Sequence, residues 1–434
     1  MSITVIVGEQ RGDEGKGRFV DMLAENHDIV ARFNGGNNAG HTVVLPDARV
    51  LKLHLVPSGI AHSHTVNIIG SGTLIHPVKL NEEIASIEEQ GISVSRDNLK
   101  ISLASHLITP AHVSEDEIRE AGMGRQGSTK SGIAQVAAAK YMRTGVRVEM
   151  ITSQPDELRQ CIVDGLQAQR QARQNSGLPK IDEISVADEY MKNALKLGVF
   201  ATDTTLYLNR MLRNDSPARV LAEGAQAYWL DIDHGMYPFS TSSSTTTGGV
   251  LTGLGVPPHY ITRIVGVAKA VQSHVGDGPF VTEIHDKEIL DILHGDMTTV
   301  DAEKGTTTGR TRRLGYLDLP AIRRAQMVNG TQEMALTKLD WMSRFGKEVK
   351  ICVAYKQKDQ FLEVAPDSAH ELEHCTPVYE TLPGWSESIQ DARTFIDLPE
   401  PAQRFIDFIE EQTGIHVSMI GVGPQRDQVI TRFK

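Results

Sequence analysis

A short apolar strand that runs directly into a glycine-rich loop constrains the fold of this chain more than any other feature. Residues 3–7 are rich in β-branched side chains, residues 8–17 contain four glycines, and residues 18–25 have the apolar spacing of a helix. Strand, glycine loop and helix open many nucleotide-binding α/β folds, in which the start of the helix faces a phosphate. The N-terminus therefore predicts an α/β fold with a P-loop-like phosphate loop after its first strand.

Further short apolar runs predict more strands of the same sheet, separated by helical segments such as residues 155–173 and 401–412. The predicted strands are residues 65–69, 219–222, 261–267, 333–336, 349–354 and 417–420. Alternating strands and helices favour a large, mostly parallel central sheet that is covered by helices.

The domain organisation is expected to be simple, because the sequence shows no internal repeat and no clear boundary. Residues 1–434 are expected to form one large nucleotide-binding domain with helical insertions at about residues 75–215. The most polar, linker-like stretch is residues 169–183.

Composition excludes several classes of protein. The net charge is −11, whereas general nucleic-acid and membrane-surface binders need a basic face. No run approaches the roughly 20 apolar residues of a membrane helix, and the early charges of Glu9 and Arg11 argue against a signal peptide. The three cysteines, Cys161, Cys352 and Cys375, form no C-x-x-C pair and fit a reducing, cytoplasmic location.

The glycine loop is not a Walker A motif. Gln10 stands where the first glycine of that motif belongs, and Gly17 replaces its magnesium-binding Ser or Thr. Lys16 can still neutralise phosphate oxygens, and a bridging Mg²⁺ would account for Asp13 and Glu14 beside a phosphate. The alternative is a tight strand–helix turn with incidental charges.

A second polar glycine-rich loop, residues 34–42, follows the strand-like residues 29–31. Its backbone can offer carbonyls to a metal ion and N–H groups to a phosphate. His41 can donate a proton or a hydrogen bond to developing charge. The alternative for a lone histidine is a structural role.

Two later segments suggest ligand recognition. Thr337, Lys338 and Asp340 match the [NT]-K-x-D guanine motif, whose aspartate accepts from N1–H and the 2-amino group of guanine; the alternative is a strand end that runs into a turn. Residues 305–313 combine glycines, hydroxyls and three arginines, which suits carboxylates or phosphates. The alternative there is a solvated basic loop.

The middle of the chain is harder to interpret. Residues 223–226 form a short polar motif, and the Asp231, Asp233 and His234 cluster is either a metal site or, more often for such spacing, a hydrogen-bonded turn. Residues 240–249 have the Ser/Thr/Gly composition of a flexible linker, although the apolar residues that follow allow a helix start there.

Taken in order, these segments resemble the adenylosuccinate synthetase family over nearly the whole chain. The motifs that carry the resemblance are residues 12–17, 38–42, 223–226, 230–235 and 379–385. The resemblance implies a homodimeric, magnesium-dependent ligase of AMP biosynthesis that converts GTP, IMP and L-aspartate to GDP, phosphate and adenylosuccinate. It also implies a guanine-binding C-terminal region at about residues 330–434.

The implied mechanism has two steps. Asp13 removes the N1 proton of IMP, O6 attacks the γ-phosphate of GTP, and the amino group of aspartate then displaces phosphate from the 6-phosphoryl intermediate. Asp13 and the Gly40 carbonyl would hold Mg²⁺, and His41 would donate to the phosphate oxygens.

The resemblance also implies four sets of binding residues. The GTP set is Gly12, Glu14, Gly15, Lys16, Gly17, Gly40, His41, Thr42, Arg312, Lys338, Asp340, Gly421, Gly423 and Pro424. The IMP set is Asp13, Asn38, Thr129, Gln226, Thr241 and Arg310, with Arg143 reaching over from a second subunit. The aspartate set is Val275, Thr307, Thr308, Arg310 and Arg312.

The sequence departs from the family pattern at several binding positions. Arg11 stands where the family usually has Trp, Gly421 replaces an expected serine, Thr311 interrupts a run of arginines, and residues 130–135 change the loop that faces the IMP phosphate. The alternative is therefore a divergent member that acts on another purine nucleotide, such as dGMP, or on another amine donor. Asp13 favours the hypoxanthine base, because a carboxylate beside N1 crowds a 2-amino group. A regulatory GTP-binding switch is a further alternative, and it would not need Asp13 and His41 as a pair.

Overall fold

The computed structural model describes residues 2–45, 47, 49–122, 130–294 and 312–432 of the chain. Its largest element is a ten-stranded sheet. From one edge to the other the strands are β19 (Val429–Thr431), β18 (His416–Gly421), β14 (Glu333–Thr337), β11 (Ile261–Lys269), β1 (Ser2–Gly8), β10 (Arg219–Glu223), β2 (Ile29–Arg32), β5 (Val66–Ile69), β7 (Leu99–Ser102) and β9 (Ala201–Thr202).

Neighbouring strands of this sheet run parallel, except that β19 pairs antiparallel with β18. The central strand β1 is buried from Ile3 onward, in register with β10 through Ile3 and Val220. Its β-branched side chains suit a strand that is covered on both faces. The predicted mostly parallel sheet is confirmed.

A second sheet lies beside the first and has mixed pairing. Its strands are β12 (Val271–His274), β13 (Arg313–Asp318), β15 (Glu348–Gln357), β16 (Gln360–Leu362) and β17 (Thr376–Pro383). The strand predicted at residues 349–354 exists, but it belongs to this second sheet and not to the central one. A short apolar run predicts a strand without identifying the strands that pair with it. Two ribbons complete the strands: β3 (His41–Val44) with β4 (Val50–Leu53), and β6 (Leu74–Ile75) with β8 (His106–Leu107).

The helices cover the sheets and form most of the segment between β6 and β10. They are α1 (Lys16–Ala24), α2 (Pro77–Glu89), α3 (Pro110–Ala121), α4 (Ile133–Met142), α5 (Glu149–Ser153), α6 (Pro155–Asn175), α7 (Glu183–Leu197), α8 (Thr204–Arg213), α9 (Gly248–Leu254), α10 (Lys287–His294), α11 (Leu319–Asn329), α12 (Leu339–Met342), α13 (Ala369–Glu373) and α14 (Glu400–Thr413). No helix in the described ranges combines the length and the apolar character needed to cross a bilayer.

The linker-like stretch at residues 169–183 is helix up to residue 175, and residues 176–182 connect α6 to α7. Helix α6 continues to Asn175, and its Arg173 is buried, donating to Ser114 Oγ at 3.0 Å and Glu117 Oε2 at 2.6 Å. The polar residues of the helical part of this stretch belong to the exposed face of α6, whereas the opposite face of the helix is apolar and buried.

The topology brings the polar loops together. Strands β18, β14, β11, β1, β10 and β2 are neighbours and parallel, so their carboxyl ends meet at one edge of the sheet. The glycine loop, residues 34–42, residues 223–226, residues 337–340 and residues 421–424 all follow these strands. Ligands of parallel α/β sheets bind at this edge.

Candidate active site

The glycine loop leaves β1 at Gly8 and re-enters regular structure at Lys16, the first residue of α1. Three of its residues have left-handed backbone angles: Gly12 (φ 93°), Asp13 (φ 58°) and Gly15 (φ 86°). For Asp13 this conformation is strained, and such strain is concentrated at functional sites. No side chain caps the N-terminus of α1, so its backbone N–H groups can take a phosphate.

Inside the loop the charges of Glu14 and Lys16 neutralise each other. Glu14 Oε1 accepts from Gly12 N at 2.8 Å, and its Oε2 accepts from Lys16 Nζ at 2.5 Å. Both side chains are almost completely buried. Lys16 is therefore held at the start of α1 by a carboxylate that an incoming phosphate would compete with.

Asp13 pairs with the other side of the site. Its Oδ2 lies 2.7 Å from Nη2 of Arg312, and Asp13 keeps 30 % of its side chain exposed. The structure thus brings together a predicted base and one of the arginines predicted for ligand binding. Thr307, Thr308 and Arg310 of the same predicted set, together with Thr129, lie outside the described residues.

His41 lies against the start of α1, where a side chain on Gly17 would come within 2.7 Å of His41 Cβ. Its Nδ1 makes a short hydrogen bond to Glu223 Oε1, the last residue of β10. The same carboxylate accepts from Arg32 Nη1 at 2.9 Å and from Ser58 through N and Oγ, both at 2.8 Å. We call these four residues, His41, Glu223, Arg32 and Ser58, the Glu223 cluster.

The charges in this cluster follow from its partners. Burial alone would raise the pKa of Glu223, but Arg32, His41 and the Ser58 N–H together lower it to about 2. Burial, and then the charge of Arg32, lower the pKa of His41 to about 4. At neutral pH Glu223 is a carboxylate and His41 is a neutral ring whose Nδ1–H donates to it, so Nε2 is left for a ligand.

Residues predicted around the purine nucleotide meet beside the β2 and β10 ends. Gln226 has a left-handed backbone (φ 57°) and donates to Asn38 Oδ1 at 3.3 Å. Asn34 exchanges two hydrogen bonds with Ala225: Ala225 N donates to its Oδ1 at 2.8 Å, and its Nδ2 donates to the Ala225 carbonyl at 3.1 Å. These pairs join loops that are 188 to 191 residues apart in the chain.

Asp231 shapes the following segment as a turn. Its Oδ1 accepts from the N–H groups of Asp233 and His234 at 2.9 and 3.0 Å, and its Oδ2 accepts from Thr245 N at 2.6 Å. The prediction of a hydrogen-bonded turn is confirmed. The linker interpretation of residues 240–249 is wrong, because this buried carboxylate fixes the backbone that leads into α9, and Thr241 N donates to the Leu230 carbonyl at 2.7 Å.

The predicted guanine motif follows β14 and touches the glycine loop. Thr337 Oγ1 donates to the Glu14 carbonyl at 2.8 Å. Lys338 has a left-handed backbone (φ 59°) and places its Nζ 3.9 Å from the centre of the Trp341 ring. Asp340 lies in the first turn of α12.

Helix α1 also holds the loop after β18, which contains Gly421, Gly423 and Pro424. Arg18 donates to the carbonyl of Gly423 and, at 2.7 Å, to that of Gln428. Arg426 makes a two-pronged pair with Asp21 of α1 at 2.6 and 2.5 Å. One helix therefore sets the distance between the phosphate loop and the loop predicted to close on a base.

Two predicted residues stand elsewhere. Val275 directly follows β12 and is partly buried. Arg143 ends α4 with a left-handed backbone (φ 63°), and its side chain is exposed beside the exposed Tyr141 and Met142.

Sequence reasoning assigned no role to Arg32 or Ser58, and none to Glu223 individually. A charged residue at the end of the fully apolar residues 29–31 was a signal for Arg32. Ser58 carried none, since it meets Glu223 across 165 residues of chain. Arg18, Asp21 and Arg426 were also missed, because surface-type residues on a short helix do not reveal which loop they hold.

Comparison with known proteins identifies relatives over the full length. The adenylosuccinate synthetase family model matches residues 5–430. Adenylosuccinate synthetase of Bacillus thuringiensis (strain Al Hakam) is 42 % identical over 433 residues, covering 99 % of this chain and 98 % of the relative.

Two solved structures have the same fold. Fully ligated adenylosuccinate synthetase from Plasmodium falciparum superposes with a TM-score of 0.90 at 34 % identity, covering 100 % of each chain. Succinoaminodeoxyadenylate synthetase of cyanophage S-2L, bound to dGMP and dATP, has a TM-score of 0.62 at 21 % identity over 99 % of this chain and 95 % of its own, a likeness of fold alone.

Proposed function

This chain belongs to the adenylosuccinate synthetase family, and we propose that it joins L-aspartate to IMP at the expense of GTP, in AMP biosynthesis. One observation carries the proposal. The carboxyl edge of a single parallel sheet gathers Asp13, Lys16, His41 and Lys338, which follow the strands β1, β2 and β14. Phosphoryl transfer depends mainly on positioning and charge stabilisation, which such an edge supplies.

The first step would activate IMP. We propose that Asp13 takes the N1 proton, so that electron density moves to O6 and this oxygen attacks the γ-phosphorus of GTP while GDP leaves. The exposed part of the Asp13 carboxylate supports this role. Arg312, which pairs with Asp13 in this structure, would be released to the negatively charged ligands.

Lys16 and His41 would stabilise the negative charge on the migrating phosphoryl group. Lys16 would exchange its bond to Glu14 for a phosphate oxygen. His41, oriented by Glu223, would present Nε2, and the negative phosphates would favour a proton there. In the second step the amino group of aspartate attacks C6, and phosphate leaves with the former O6.

We propose that Asp13 and the Gly40 carbonyl would hold a magnesium ion, which takes carboxylate and carbonyl oxygens. Within the described residues no group of three or more His, Cys, Asp or Glu side chains forms a metal cage. Mg²⁺ usually keeps water and substrate phosphates as its other ligands, so two oxygens from the protein would be enough to hold it. When bound, the ion would neutralise charge on the phosphates of GTP.

The remaining proposed contacts are those to IMP and to the amino donor. We propose that Asn38, Gln226, Thr241, Thr129 and Arg310 bind IMP, in keeping with the hydrogen bond between Gln226 and Asn38. We propose a separate set for the amino donor: Val275, Thr307, Thr308, Arg310 and Arg312.

GTP would lie along the glycine loop and β14. Its phosphates would meet Gly12, Glu14, Gly15, Lys16, Gly17, Gly40, His41, Thr42 and Arg312. Lys338 and Asp340 would read guanine, and the loop of Gly421, Gly423 and Pro424 would close the base pocket within the C-terminal region at about residues 330–434. The bonds from Arg18 and Asp21 to this loop support the arrangement.

We further propose a homodimer in which Arg143 reaches the IMP phosphate of the other subunit. Tyr141 is 79 % exposed and Met142 is 70 % exposed beside Arg143. Adjacent exposed apolar side chains of this size often mark a protein interface. The three free thiols support a reducing compartment, which we propose to be the cytoplasm.

The test is absorbance-monitored turnover with GTP, magnesium, aspartate and IMP, with dGMP and GMP in parallel. We expect adenylosuccinate from IMP, and a loss of about 10³-fold in kcat for Asp13→Asn, which keeps the shape but not the base. No product from IMP, by folded protein that still binds GTP, would overturn the proposal. Turnover of dGMP alone would reassign the nucleotide.

A further inference from the structure

Arg11 is a buried cation in the glycine loop, at the position where Trp was expected. Its side chain is 4 % exposed. The guanidinium carbon lies 4.7 Å from the centre of the Phe280 ring, and Nη1 lies 2.7 Å from Met236 Sδ. A thioether is a weak acceptor for a group with five N–H donors. Packing on the ring is therefore the main direct contact of this guanidinium.

Negative charge at longer range keeps Arg11 a cation. Burial lowers the pKa of Arg11 to about 10, while the carboxylates of Asp318 and Glu283 act to raise it. Asp318 is fully buried and accepts from Tyr355 Oη at 2.6 Å. Within the described residues, these two carboxylates balance the charge of Arg11 from a distance, and no ion pair fixes the direction of its guanidinium.

Phe280 belongs to the segment that follows β12, residues 275–283, and it is enclosed. Arg313 lies 5.5 Å from the centre of the same ring and donates to the carbonyls of Gly276 and Gly278 at 3.2 and 3.0 Å. A side chain on Gly315 would come within 2.5 Å of the ring. The guanidinium groups of Arg11 and Arg313, together with the strand that approaches the ring closely at Gly315, therefore fix the position of this segment.

We propose that Arg11 is a positioning residue for the amino donor: through Phe280 it holds residues 275–280 against the loop that carries Asp13. The inference rests on the proposed function, in which Val275 lies beside aspartate. GTP would lie on the β14 and β18 side of the loop and be held by other groups. Loss of the contact should therefore act on aspartate and spare GTP.

The test compares KM values for the three substrates in Arg11→Met, which removes the charge and keeps the length. A cation–π contact of about 1–2 kcal/mol corresponds to a rise of roughly tenfold in the KM for aspartate. The KM values for GTP and IMP should stay within about twofold, and Arg11→Lys should restore much of the aspartate affinity. Phe280→Leu should reproduce the defect with Arg11 in place.

Arg173→Met is the matched control, because Arg173 is 7 % exposed and lies in α6. It should lower stability without changing the ratio of the KM values. An unchanged KM for aspartate in folded Arg11→Met or Phe280→Leu, or equal rises for all three substrates, would overturn the proposal. Failure of the function itself would appear earlier, as no adenylosuccinate from the unaltered chain.

Discussion

Two carboxyl groups at the ends of neighbouring strands are buried equally and charged differently. Glu9 follows β1 and Glu223 ends β10, and both are 0 % exposed. The pKa of Glu223 is lowered to about 2 by Arg32 and His41 against the effect of burial. Burial raises the pKa of Glu9 to about 8, because its hydrogen-bond partners are the neutral Thr331 and Asn329.

The difference shows that neighbouring strands of one sheet can end in a charged and in a neutral carboxyl group. Where β10 meets β2, Arg32 stabilises the ionised form of the buried Glu223, and this carboxylate orients His41. One strand further, at β1, the same residue type is a neutral packing group. Burial alone therefore does not make a functional carboxylate; a buried cation from the next strand does.

Replacing Glu223 is expected to have the largest effect. Glu223→Gln leaves Arg32 as an uncompensated buried charge, and the free energy of unfolding at pH 7 should fall by about 3–5 kcal/mol in urea titrations. His41 also loses its orienting acceptor, so kcat should fall as well.

The difference in the free energy of unfolding between Glu223→Gln and the unaltered chain should depend on pH. The folded pKa lies below the unfolded value of about 4.5, so the stabilisation is present above pH 4.5 and is lost as pH falls toward 2. A loss below about 1 kcal/mol at pH 7 would mean that the Glu223 cluster is not charged as described.

Removing one neutral donor to Glu223 should have a smaller effect. Ser58→Ala deletes the hydroxyl that donates at 2.8 Å but keeps the backbone N–H bond. We expect a loss of about 2 kcal/mol, typical of a hydrogen bond to a charged group, measured by urea unfolding. Additivity with Glu223→Gln in the double variant would show that the two residues do not interact.

Glu9 should give a pH slope of opposite sign. Its folded pKa of about 8 exceeds the unfolded value, so the folded state keeps a proton that the unfolded chain releases. Stability contributed by Glu9 should fall as pH rises from about 4.5 to 8, by up to about 1.4 kcal/mol per pH unit. The slope should be smaller in Glu9→Gln; parallel pH profiles of the two proteins would refute a neutral Glu9.

The smallest expected effect is that of Glu9→Gln below its pKa. Near pH 4, below the unfolded pKa of about 4.5, the acid is neutral in both the folded and the unfolded state, so a neutral amide replaces a neutral acid of the same shape, and Thr331 can still donate to its oxygen. The free energy of unfolding should change by less than about 1 kcal/mol. A loss as large as that of Glu223→Gln would erase the contrast between the two sites.

Local pattern predicted much of this molecule. Apolar runs located seven of the ten strands of the central sheet and missed β7, β9 and β19. The polar loops after the located strands lie together, because parallel strands end at one edge. Glycines at positions such as Gly12 and Gly15 marked backbone that needs left-handed angles. These signals lie within a few residues of the feature that they predict.

Partner choice could not be predicted in the same way. Glu223 meets Arg32 across 191 residues, and Arg426 meets Asp21 across 405. Those contacts depend on strand order, which short runs do not encode. The composition of residues 240–249 wrongly predicted a linker, because the carboxylate of Asp231 that orders Thr245 lies 14 residues earlier, outside that segment.

The central claim is that O6 of the nucleotide is phosphorylated before aspartate attacks. The most direct measurement uses IMP labelled with oxygen-18 at O6 and follows the label by mass spectrometry of the released phosphate. The proposed mechanism predicts that the phosphate carries the label, one atom for each adenylosuccinate formed. Unlabelled phosphate, released together with adenylosuccinate, would contradict it.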